Sequence, residues 1–282
     1  MKKVFTLLLL FFAITTTALA QQKAFQVQVI GKGKPILLIP GYSCSGEVWA
    51  ETVDQLKDRY ECHVLTIAGF AGAPAIDAPI LQTVKDEIIR YVKQKKLKKP
   101  ELIGHSLGAF MSLWVSSEAP DLFGKVICVD GVPFISAMAD PKITAESMKS
   151  SPYMNPKQVV KNFESLPAEG FIDRTALAMK AQVEDSLRAR QIATWQFNSD
   201  RRTLGLSLVE ISTTDLREQI ATIKQPVLVL GSIYNTKENS QRILNEQYSK
   251  VRNKTIRVAD SKHFIMYDQP QWFYAEIVAF LK

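Results

Sequence analysis

Short apolar runs alternate with amphipathic stretches along most of the chain. Phe25 to Ile30, Pro35 to Pro40, Cys62 to Ile67, Glu101 to Gly104, Val126 to Asp130, Pro226 to Gly231 and Thr255 to Val258 are too short for helices and are predicted to be strands. Between them Val48, Trp49, Val53 and Leu56 recur at near-helical spacing, as do Leu81, Val84, Ile88 and Val92, and the last segment carries Trp272, Phe273, Ile277 and Phe280. Strands that alternate with helices predict an α/β fold, a doubly wound and mostly parallel sheet covered on both faces. From Val132 to about Ile223 the alternation stops. Pro133, Pro141, Pro152, Pro156 and Pro167 punctuate its first half and no strand pattern appears, so residues 132–223 are expected to be helices inserted between two strands of one domain, residues 21–282. A lid over a site is the expected use of such an insertion.

The first twenty residues do not fit that domain. Lys2 and Lys3, the apolar run Val4 to Ala13 and the ending Ala18-Leu19-Ala20 read as a secretory signal peptide with cleavage after Ala20. The run is shorter than the ~20 residues a bilayer span needs. The mature protein is therefore expected to be exported, periplasmic or secreted, without stable membrane insertion; no cysteine stands at the cleavage site to carry a lipid.

Composition changes this picture little. The chain has 282 residues, 46% of them hydrophobic and 22% charged, enough for a sizeable core. Its 35 Lys and Arg exceed 28 Asp and Glu by seven; loss of Lys2 and Lys3 leaves +5. That excess suits solubility and lacks the clustered basic face of a nucleic-acid binder. The run Val92 to Lys99 reads as a solvated helix end, where cations suit the dipole. Cys44, Cys62 and Cys128 are too few for a disulfide framework, and Cys62 and Cys128 lie in apolar strands as buried thiols. No metal-ligand spacing and no phosphate-cradling glycine loop occurs, so neither metal nor cofactor is expected.

Gly104-His105-Ser106-Leu107-Gly108 follows one short strand and precedes the helical stretch Ala109 to Ser117. A G-x-S-x-G segment between strand and helix is a nucleophile elbow: small residues two before and two after the serine permit a strained turn that lifts Oγ clear of the sheet, and the next helix aims its N-terminal amides at developing negative charge. A serine hydroxyl needs a base. His63 lies inside an apolar strand, where a satisfied core histidine is expected. The side chain of His105, next to the serine, is expected to diverge from Oγ. His263, in the polar loop after the last strand, has the required chain order of serine first and histidine last.

With these residues the chain resembles the α/β-hydrolase superfamily, in its serine-nucleophile branch, over roughly residues 25 to 282. Leu37 to Tyr42 is similar to that family's strand and oxyanion loop, Pro226 to Gly231 to its penultimate strand, and His263-Phe264 with Gln269-Pro270 to its histidine loop and last helix. The resemblance implies a helical cap and an oxyanion hole made by the backbone amides of Tyr42 and Leu107. It implies a serine hydrolase acting on a small-molecule carboxylic ester or similar acyl substrate through an acyl-enzyme. In the third triad position the chain departs from the family, because Asn235 stands where the acid usually falls. Asp130, at the end of the preceding strand, is an alternative position some members use, with Glu238 and Asn235 as the other candidates. An amide at that position keeps open a ligand-binding protein of slow or no turnover, and, more weakly, a cell-surface interaction protein.

Overall fold

The computed structural model describes residues 23–282; the leader predicted at residues 1–20 lies outside them. Seven strands form one sheet: β1 (Phe25–Gly31), β2 (Lys34–Ile39), β3 (Tyr60–Ile67), β4 (Glu101–His105), β5 (Val126–Val129), β6 (Val227–Gly231) and β7 (Lys254–Val258). Their spatial order is β1-β3-β2-β4-β5-β6-β7, and every pair is parallel except β1 with β3. All seven predicted strands are present, and their ends shift by at most two residues. The exception has a visible cause. β1 and β2 are joined by a turn at Gly31 to Gly33, too short for the crossover a parallel pair would need, and β1 pairs along the outer edge of β3 with Val27 and Val29 exposed.

Side-chain alternation divides the core into two layers. Leu37, Ile39, Leu102, Val126, Cys128, Val227 and Val229 face α2 (Ile80–Gln94) and α3 (Leu107–Glu118). Ile36, Leu38, Ile103, Ile127, Val129, Leu228 and Leu230 face the opposite layer, where α1 (Ala50–Leu56) contributes Val53 and Leu56. Strands buried on both faces explain why the central runs are continuously apolar rather than alternating. α3 is buried all round, consistent with its apolar sequence.

Between β5 and β6 stand only helices: α4 (Ala145–Lys149), α5 (Pro156–Glu164), α6 (Phe171–Met179), α7 (Ser186–Asn198) and α8 (Arg201–Thr213), besides short 3-10 turns. Asn155, Asp185 and Asp200 cap α5, α7 and α8 with their side chains, and Pro156 opens α5 at a position where its missing N–H costs nothing. α8 is tied to the sheet domain at both ends. The Asp200 amide donates to Gly69 O at 2.7 Å, and Glu210 accepts from the Ile80 and Leu81 amides that open α2, at 2.7 and 2.6 Å.

After β6 come α9 (Lys237–Gln247), α10 (Ile265–Asp268) and α11 (Pro270–Leu281), and Phe273, Ile277 and Leu281 of α11 pack in the same layer as α1. α2 ends at Gln94, so Lys95, Lys96, Lys98 and Lys99 form an exposed loop rather than a last helical turn. All three cysteines are buried and free. Among the described residues no helix is long and apolar enough to cross a membrane.

Candidate active site

The carboxyl ends of the parallel strands converge on one edge of the sheet, where loops carry side chains away from the ladder. Ser106 follows β4 with φ +53° and ψ −116°, a conformation that a non-glycine residue adopts only under constraint. The constraint is steric as well as hydrogen-bonded. The Ser106 amide donates to Val129 O at 2.8 Å; a Cβ on Gly104 would lie 2.0 Å from Gly108 O, and one on Gly108 would lie 2.0 Å from Ile39 O. Gly104 thus lets the turn close on the start of α3, and Gly108 lets it nest against β2. No hydrogen bond engages Ser106 Oγ among the described residues.

Asp130 leaves the end of β5, also with positive φ (+45°), and its buried carboxylate faces His263 from the loop after β7. His263 Nδ1 donates to Asp130 Oδ2 at 2.6 Å. Three more donors complete the carboxylate: the Ser232 hydroxyl to Oδ2 at 2.8 Å, and the Ser232 amide and Tyr234 hydroxyl to Oδ1, both at 2.7 Å. Burial alone would raise the Asp130 pKa, but the His263 hydrogen bond and charge, with those from Ser232 and Tyr234, hold it below the ordinary carboxylate value. Asn235 and Glu238 are exposed and neither bonds to His263. Thus Ser106, His263 and Asp130 stand at the ends of β4, β7 and β5, and the other two acid candidates stand apart.

These three residues line one cavity of about 590 Å³, bounded by the strand ends and by the helices between β5 and β6. Tyr42 and Leu107 line it too, and among the described residues neither backbone N–H donates to an intramolecular acceptor. The Tyr42 hydroxyl, deep enough that burial pushes its pKa well up, donates to Leu204 O of α8 at 2.6 Å and ties the loop after β2 to the inserted helices.

Known proteins of similar sequence and shape share this arrangement of elements. The family described as the alpha/beta hydrolase fold matches residues 34–270. The chain belongs to that family. Among curated relatives, the pimeloyl-[acyl-carrier protein] methyl ester esterases of Vibrio atlanticus (strain LGP32) and Proteus mirabilis (strain HI4320) are 23% and 24% identical, each over 72% of this chain and 76% of theirs. Among solved structures, the enol-lactonase of Burkholderia xenovorans LB400 superposes with a TM-score of 0.74 at 14% identity, covering 91% of this chain and 96% of its own. A thermophilic esterase from Thermogutta terrifontis gives 0.73 at 16%, covering 91% and 92%.

In this α/β-hydrolase the parts played by three residues at the site are missing from the sequence reading, which weighs the third of them only as a base and sets it aside. Ser232 and Tyr234 clamp the carboxylate from the segment in which the family's acid usually falls; two hydroxyls there, with an aspartate ending the neighbouring strand, were the available signal. The third is His105. Its buried ring packs 4.5 Å from the His263 ring and 4.6 Å from Phe264, and Nε2 donates to His263 O at 3.1 Å. That bond fixes the tautomer, so unprotonated Nδ1 is left buried with no partner among the described residues. Burial, then the neighbouring His263 charge, pushes the His105 pKa down from 6.5 to about 3. His63, in contrast, is the expected core histidine, with Nδ1 at 2.8 Å from the Tyr91 hydroxyl and Nε2 at 2.9 Å from Glu61.

The His105 shift has a consequence for acid stability. Between its ordinary value and about 3 the unfolded chain binds a proton that the folded chain refuses, so stability falls as pH drops through that window. We expect His105→Leu to flatten the dependence. Urea unfolding of both proteins at about pH 7.5 and about pH 4.5 should show the wild type losing on the order of 2 kcal/mol more than the variant. Parallel losses would remove His105 as the cause.

Proposed function

We propose that this α/β-hydrolase is a serine hydrolase of carboxylic esters. Ser106 Oγ attacks the ester carbonyl carbon while His263 Nε2 takes the hydroxyl proton, and the resulting oxyanion accepts hydrogen bonds from the Tyr42 and Leu107 amides. As the tetrahedral intermediate collapses, the bond from carbonyl carbon to alcohol oxygen breaks and the proton on Nε2 passes to the leaving oxygen. Water, deprotonated by the same nitrogen, then attacks the acyl-enzyme, and free acid leaves Ser106 restored. No cofactor enters any step.

The observation that carries this reading is the 2.6 Å bond from His263 Nδ1 to a fully satisfied Asp130 carboxylate. It leaves Nε2 as the lone-pair nitrogen, the tautomer a general base needs. Relatives named as methyl ester esterases support an ester over an amide substrate. A slow-turnover binder would place an amide beside the imidazole, whereas Asn235 is exposed and makes no bond to His263. Covalent labelling by a fluorophosphonate and turnover of short-chain esters, each lost with Ser106→Ala, test the proposal.

Helices α4 to α8 would act in this reading as the lid that closes the cavity against water. We propose in addition that the chain is exported and cleaved after Ala20. Intact-mass measurement of protein from the native host is expected to give a mature chain beginning at Gln21, and a mass retaining residues 1–20 would overturn this.

A further inference from the structure

The cavity has two chemically different ends. One is built from Val132, Ile135 and Met138, just after β5, and from Leu208 and Ile211 of α8. Two bonds hold these segments together: Ser136 Oγ donates to Ser212 O at 2.8 Å and the Leu216 amide to Pro133 O at 3.1 Å. Among the described residues no charged side chain lines this end. The other end is mixed: Gln182, Gln196 and Lys262 line it together with Met179, Ala181 and Ile192, so it is the end that offers polar side chains rather than one without apolar wall. Gln182 O accepts from the Phe264 amide at 3.1 Å, which places this end directly beside the His263 loop. The carboxamides of Gln182 and Gln196 have no intramolecular hydrogen bond among the described residues. Lys262 Nζ, however, is engaged, by Lys180 O at 2.8 Å and Glu184 at 3.1 Å.

We propose, resting on the serine-esterase reading, that the substrate joins an uncharged, apolar acyl chain to a polar, hydroxyl-bearing alcohol, and that the two halves occupy these opposite ends. Proton delivery fixes which half goes where. His263 Nε2 gives its proton to the alcohol oxygen as the carbon–oxygen bond breaks, so the alcohol lies against His263 and the groups built around it. Two unpaired carboxamides there offer donors and acceptors that an apolar alcohol would leave desolvated and unmatched. The acyl chain takes the remaining end, where aliphatic and thioether walls reward each buried methylene. A carboxylate on that chain would lose part of its hydration against these walls with no cation in return, because Ile135 leaves the end only partly open and Lys262 stands with the glutamines and is already paired.

The test is a set of rates on purified protein. Wild type should hydrolyse p-nitrophenyl hexanoate with kcat/KM on the order of 10²-fold above both p-nitrophenyl acetate and the p-nitrophenyl monoester of adipic acid. Glycerol monohexanoate should be preferred to hexyl hexanoate, and Gln182→Leu should reduce that preference. Leu208→Trp, which fills the apolar end, should invert the ratio of hexanoate to acetate turnover; Met138→Trp serves the same purpose if the first variant does not fold. A preference for the adipate ester, or an unchanged hexanoate-to-acetate ratio in a folded filled variant, overturns the inference while leaving the esterase reading intact. Absence of turnover on every ester together with absence of fluorophosphonate labelling overturns both.

Discussion

Ser106→Ala is expected to lower ester turnover by about 10⁶-fold and to abolish fluorophosphonate labelling, with unfolding behaviour unchanged within ~0.5 kcal/mol. Both halves of the expectation have a source in the site. The hydroxyl carries no intramolecular hydrogen bond among the described residues, so its removal takes little from the fold. The amides of Tyr42 and Leu107 and the Asp130–His263 pair remain in place, so what disappears is the atom proposed to attack carbon. His263→Ala should be about as damaging, because nucleophile and base act as a unit and removal of either costs nearly what removal of both costs. His63→Gln should instead weaken folding, since it disturbs a buried bond to Tyr91 and leaves the elbow untouched. Unchanged turnover in folded Ser106→Ala would sink the mechanism, and loss of labelling with His63→Gln but not with His263→Ala would move the base to the other histidine.

How much of this could be read from the sequence depends on the range of the interactions involved. Strands such as Leu37 to Ile39 and Val227 to Leu230 are legible because burial on both faces of a parallel sheet leaves an unbroken apolar run. The elbow is legible because its two glycines answer local steric demands, Gly104 the close approach of the first turn of α3 and Gly108 that of β2, which G-x-S-x-G between strand and helix announces. The antiparallel sense of β1 was within reach as well, from the short Gly31–Gly33 turn.

What the sequence left open are contacts across more than a hundred residues. His105 meets His263 O from 158 positions away, and Ser232 reaches Asp130 across 102. Divergence of neighbouring side chains on the turn carries the His105 ring away from solvent and against the base loop, a partner that no local pattern names. The two ends of the cavity are likewise invisible in sequence, because each combines a loop after a strand with a helix from the insertion.

Asp130→Asn is expected to cost up to ~10⁴-fold in turnover, through the tautomer of His263 rather than through any displacement of Ser106. The hydrogen bonds dictate how the amide must sit. The Ser232 backbone N–H cannot rotate away and requires an acceptor, so the amide oxygen takes the Oδ1 position and the NH₂ group takes Oδ2. An NH₂ there faces His263 Nδ1 as a donor, and the imidazole responds by accepting at Nδ1 and carrying its proton on Nε2, where Ser106 needs a lone pair. The Ser232 hydroxyl loses its acceptor at the same time, for a stability cost of about 1–3 kcal/mol. Asn235→Asp tests the other side of the argument. That residue is exposed and without a bond to the imidazole, so its new charge should change turnover by no more than about twofold and should not rescue the Asp130→Asn variant. If Asp130→Asn is mild, or if Asn235→Asp restores its activity, the acid that orients His263 during turnover is reached by a different arrangement of the loop after β6.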